Sequence, residues 1–124
     1  MRVVILAAFL LAFVAGAHGQ PMGWAGPGVN SCAVYAQDYK HFPADMGNFY
    51  FFWAQGFMSG LNSGHYRSRG DTSGDTDLAS KSFPNQAQED FIRRYCDQHL
   101  LASFVDAVFA LWAEMRRLQG LPPD

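Results

Sequence analysis

Beyond Cys32 and Cys96 the chain contains no cysteine. The two lie far apart, so the C-x-x-C spacing of a thiol redox pair is absent. A zinc site would need two further ligands, and the histidines are scattered along the chain. Charge of one sign is lacking too: nine basic residues stand against eleven acidic ones in 124 residues, a net charge of −2. A nucleic-acid binder would show a basic face, and no basic helix suited to anionic membranes is present. No apolar run reaches the roughly 20 residues that cross a bilayer. No stretch alternates apolar and polar residues with period two, which argues against half-buried strands. There are no internal repeats, and G-x-S-x-G is absent. The acidic run from Asp71 through Asp75 to Asp77 departs from a calcium loop: Gly74 comes too early, and Ser82 stands where a bidentate Glu is needed. No cofactor, metal, nucleic acid or catalytic centre is therefore expected.

What is present begins with an export signal over residues 1–19. Met1-Arg2 is short and positive, and Val3 to Val14 is an unbroken apolar run. Ala15 to Gly19 supplies the small residues that signal peptidase accepts. Cleavage is expected after Gly19, with Ala17 as the alternative, and no membrane insertion thereafter. The remaining chain, about 105 residues, is one domain by length. A cysteine pair in a small exported protein is most simply one disulfide. A metal site, a redox pair and an intermolecular bridge are the alternatives.

The mature chain is aromatic-rich and patterned for helices. Residues 20–30 carry Gly and Pro and read as an irregular lead-in to a helical domain over 31–119. Ser31 can cap a first helix, Cys32 to His41, in which Cys32, Tyr35, Ala36 and Tyr39 share a face. Pro43 ends or redirects it. A second helix, capped by Asp45 or Asn48, is expected to reach Leu61. Its stripe is Phe49, Trp53, Gly56, Phe57 and Gly60. Gly56 and Gly60 each weaken a helix by about 1 kcal/mol against alanine. Close approach of another helix backbone or of an aromatic ring is the expected compensation. Asn62 to Pro84 is polar, contains Gly64, Gly70 and Gly74, and reads as a long loop. A third helix should run from Asn85 to His99, and a fourth from Leu101 to Gln119. The fourth buries Leu101, Phe104, Val105, Val108, Leu111, Trp112 and Met115 and turns Arg116 and Arg117 away. Gly120 suits a helix end, and Pro122-Pro123 prevents continuation into the tail, 120–124. The expected fold is all-α: four helices and one disulfide after a cleaved signal.

Cys32, the W-A-Q-G-F-M-S-G-L-N segment at 53–62, and Y-C-D-Q-H at 95–99 followed by an amphipathic helix together resemble a known group. They are similar to the small periplasmic proteins that include Hde-type acid-stress chaperones and Tai-type amidase-immunity proteins. The resemblance spans about residues 31–112. It implies a signal peptide, a helical fold, a disulfide between Cys32 and Cys96, and a packing signature formed by Trp53, Gly56 and Gly60. This chain departs from many of those proteins in reading His99-Leu100 after the second cysteine, without proline, and in lacking a second cysteine pair. The expected function is that of an exported, non-enzymatic periplasmic protein that binds another protein, immunity- or inhibitor-like. An acid-activated chaperone is the alternative, and a homodimer is a further association the sequence permits. The candidate contact surface is the 62–84 loop, with Tyr66, Arg67, Arg69, Asp71, Asp75 and Asp77; a solvated connector is the alternative reading of the same stretch. Deleting residues 66–77 is expected to leave the fold intact.

Overall fold

Ser31 starts the first helix as its position suggests. Its hydroxyl accepts the Val34 N–H at 3.2 Å, satisfying one of the donors that a helix start leaves open. The structure, a computed structural model, describes Gly23 and residues 25–124. The expected signal segment lies outside the described residues. A 3-10 turn, Gly26–Val29, leads into four helices: α1 Cys32–His41, α2 Pro43–Arg69, α3 Asn85–Gln98 and α4 Phe104–Leu118. Among the described residues there is no strand, only an isolated bridge between Ser31 and Ser103. No described helix is long and apolar enough to cross a membrane.

The starts of α1 and α4 are stitched together. Cys32 N–H donates to Ala102 O at 2.8 Å and Ala33 N–H to Leu100 O at 3.0 Å, while Phe104 N–H donates to Asn30 O at 2.7 Å. The link between α3 and α4 thus supplies carbonyls to amides that the helix start leaves open. Cys32 and Cys96 form the disulfide beside this crossing, both fully buried, with Cα atoms 4.8 Å apart. Tyr35, Tyr50 and Phe104 cluster next to it, their ring centroids 4.8 to 5.1 Å apart. The Tyr50 hydroxyl donates to Asp38 Oδ2 at 2.7 Å and accepts from Asn30 Nδ2 at 2.8 Å. Burial pushes this hydroxyl up to about 12; the Asp38 carboxylate adds to the shift and the Asn30 bond opposes it.

Three expectations are corrected. First, α2 does not stop at Leu61 but continues through Asn62 to Arg69, so the loop begins at Gly70 (φ +82°), whose N–H closes the helix on Tyr66 O. Pro43 opens α2 directly after α1, with Phe42 shared between them. Serine, asparagine and glycine give residues 62–68 a weak helical preference, which tertiary contacts override. Asn62 binds the far loop, and Ser59 and Ser63 turn their hydroxyls onto carbonyls one turn back. Second, the buried side of α2 is Gly47, Tyr50, Phe51, Ala54 and Met58. Phe49, Gly56 and Gly60 are exposed, and a Cβ on either glycine would meet nothing within 4 Å. Phe49 to Trp53 are all aromatic, so periodicity alone could not choose the face. The glycine in ring contact is Gly28, where an added Cβ would lie 2.2 Å from the Trp53 ring. Third, α4 starts at Phe104 and leaves Leu101 98% exposed. Ser103 precedes it, its N–H and hydroxyl both bonded to the Asp106 carboxylate. Arg116, expected outside, is 2% exposed.

Two consequences follow for stability. Cys32→Ser with Cys96→Ser should lower the unfolding free energy in urea by about 4 kcal/mol, the entropy of releasing a loop of 64 residues. Gly28→Ala should cost about 1–3 kcal/mol in the same assay, because the indole cannot yield without losing its bond to Ala25 O.

Candidate functional site

Gly120 (φ +68°) ends α4, and the chain folds back so that Leu121 N–H reaches Arg116 O at 2.9 Å. That return lays Leu121, Pro123 and Asp124 beside the last turns of α2 and α4. A groove of about 800 Å3 lies there, walled by Leu61 and His65 of α2, by Phe109, Trp112 and Ala113 of α4, and by the tail. Its walls are mainly apolar; Arg116, Asp124 and His65 are linked into one polar side, and Arg117 also stands in the lining.

Arg116 organises that side. Its Nε donates to Pro122 O at 2.9 Å, and Nη1 to Gly74 O at 3.0 Å and Thr76 Oγ1 at 3.2 Å. Nη2 lies 3.3 Å from Asp124 Oδ1. Asp124 also accepts the Trp112 indole N–H at 2.6 Å and faces His65 Nε2 at 3.2 Å. The buried guanidinium is therefore neutralised and its donors are used, as a charge removed from water requires. His65 Nδ1 is buried with no hydrogen-bond partner among the described residues. No serine or cysteine stands in the groove wall beside the His65–Asp124 pair, so the lining offers no hydroxyl or thiol to activate. No group of three His, Cys, Asp or Glu is assembled for a metal among the described residues. The arrangement can receive an apolar group and hold it beside a polar rim. A smaller depression of about 340 Å3 lies between α1 and α3, where Arg93 stacks over Tyr39 at 4.3 Å.

The residues expected to form a contact loop are divided. Tyr66, Arg67 and Arg69 belong to α2. Tyr66 and Arg67 are exposed, and Arg69 pairs with Asp75 at 3.2 Å. The Asp71 carboxylate takes the Ser73 N–H at 2.8 Å and the Ser73 hydroxyl, which hold it below the usual carboxylate range. Asp77 caps Ala79 N–H at 3.0 Å, while its own backbone is paired with the Gln119 side chain at 2.8 and 2.9 Å. Asn62 pairs with the Thr76 backbone in the same way, at 2.9 Å in both directions. Gln88, fully buried, donates to Leu78 O and Phe83 O and accepts from Gln55. The loop is thus ordered by amide side chains that stand in for strand partners. Deleting residues 66–77 would strand Asn62, Gln119 and Arg116, so the expectation that the fold survives this deletion is withdrawn.

Sequence reasoning missed Arg116, Asp124, His65 and Trp112 as one cluster. The available signal was the i, i+4 spacing of Trp112 and Arg116 together with a tail turned back by Gly120. Trp53 is half-buried, donating to Ala25 O at 3.0 Å and stacking on Phe57; Gly56 and Gly60 do not join it in packing.

No protein-family model matches the chain, no curated protein matches it, and no solved structure matches it.

Arg116→Ala should lower stability in urea by about 3 kcal/mol, since it removes the one side chain that ties the buried Thr76 hydroxyl, Gly74 O and the tail to α4. Arg117→Ala, whose partner Glu114 lies with it at the surface, should leave the midpoint unchanged.

Proposed function

We propose that the chain is an exported, disulfide-stapled protein that binds another protein and catalyses no reaction. The groove between α2 and α4 is the part that receives the partner. The observation that carries this reading is the apolar wall of that groove, about 800 Å3, open beside a polar side whose charges are already satisfied internally. Charges bonded to one another hold the groove's shape. An apolar pocket with a few fixed polar groups suits the insertion of one large side chain from a partner. Export is supported by the signal-like N-terminus, by the disulfide, and by the resemblance to periplasmic immunity and chaperone proteins. The loop is read as a buttress of the groove, through Arg116, and less as the contact surface itself.

The test uses the oxidised exported protein as bait against a periplasmic extract, with Ala113→Arg as the matched control. Ala113 is exposed in the groove wall, so a long side chain there fills the groove without disturbing the core. Wild type should retain a partner that Ala113→Arg loses at least tenfold. A partner retained equally by both would place binding elsewhere. Suppression of client aggregation at pH 2–3 but not at pH 7, with no specific partner, would replace this reading with the acid-activated chaperone.

A further inference from the structure

The outer face of α2 carries a pattern that the monomer does not use. Asp45, Phe49, Phe52, Gly56, Gly60, Ser63 and Arg67 are all exposed. Their spacings are 4, 3, 4, 4, 3 and 4 residues, so they share one helical face and read alike from either end about Gly56. We propose that this face docks a second copy of the chain, the two α2 helices packing antiparallel on a twofold axis at Gly56. Antiparallel pairing about that axis places Asp45 opposite Arg67 of the other copy, Phe49 opposite Ser63, and Phe52 opposite Gly60. Each large or charged group meets a small or oppositely charged one.

Charge complementarity selects this occupant and this direction. Asp45 and Arg67 make no ion pair with any described residue, and they sit at opposite ends of the face. A parallel pair would set Asp45 against Asp45 and Phe52 against Phe52. Antiparallel pairing joins unlike charges twice, as an isologous contact requires. Sterics agree. Phe52 is 70% exposed and Phe49 52%, while a Cβ at Gly56 or Gly60 would meet nothing within 4 Å. Glycine at these two positions weakens the helix and serves no contact inside the monomer. On the twofold axis glycine lets two backbones approach to about 8 Å, the short end of the helix-packing range. The Phe52 ring then rests on the backbone at Gly60 of the other copy. A crossing angle near 20° keeps the helices together out to Asp45 and Arg67, about 16 Å from the axis. The groove lies on another side of α2, around Leu61 and His65, so this surface is independent of the proposed partner site. One helix pair per copy makes a small interface, and reversible association is expected.

Sedimentation of the oxidised exported protein over about 1 µM to 1 mM, in low salt, tests the proposal. Wild type should pass from monomer to dimer. Gly56→Leu should weaken association at least tenfold while its melting temperature holds or rises, because leucine is the better helix former at an open position. Asp45→Arg and Arg67→Asp should each weaken association, and the two together should restore it. The double reversal keeps the test sound even if a single variant folds poorly. A monomer throughout the range, a dimer that Gly56→Leu leaves intact, or a double reversal that fails to restore association would each overturn it.

Discussion

The bonding between the starts of α1 and α4 is the constraint on which the other elements depend. Three backbone hydrogen bonds join residues 30–33 to residues 100–104, and the buried Cys32–Cys96 bond ties the last turn of α3 to the same point. This geometry lets a short α3–α4 link reverse direction without leaving buried amides unpaired. It also brings Tyr35 and Phe104 onto Tyr50, so that the first half of α2 is held against α1 and α4 by aromatic edges. The hydroxyl of Tyr50, placed between Asn30 and Asp38, then fixes the lead-in and α1 relative to α2.

The opposite end of the molecule is governed by polar groups. Arg116 sits where four backbone or side-chain acceptors converge, and each belongs to the loop or the tail. Asn62 and Gln119 read loop backbone through paired donor and acceptor bonds, which helices lack the free edges to provide. The result is a molecule with an apolar covalent end and a hydrogen-bonded end. The groove belongs to the second, whose shape depends on directional bonds more than on tight packing.

The legibility of these features followed their physical scale. The Ser31 cap, the span of α1, most of α4 and the all-helical class rest on local signals, namely caps and 3.6 periodicity, and they were readable. The disulfide followed from having two cysteines. The length and face of α2 were not readable. Five consecutive aromatics blur its periodicity, and its last turns are helical through contacts with Thr76 and Trp112 that lie far off in sequence. Ring contact with a glycine operates at Gly28 and not at Gly56 or Gly60, and its partner Trp53 is remote along the chain. The groove was invisible for a related reason. Arg116 reads as a surface cation at a helix end, and only the returning tail and the loop carbonyls bury it.

The disulfide also divides the chain mechanically. It encloses α1, α2, the loop and all but the end of α3 in a covalent ring spanning a sequence separation of 64, and leaves α4 outside. A pull applied at the two ends of the oxidised chain cannot enter that ring. About 220 Å of contour length stays out of reach of the force. Load passes from the lead-in through the sulfur atoms to residue 97 and on into α4, which is held by packing and hydrogen bonds alone. Under tension α4 would peel away first while the ring kept its three helices, so the molecule is stiff over most of its length and yielding at its C-terminal helix.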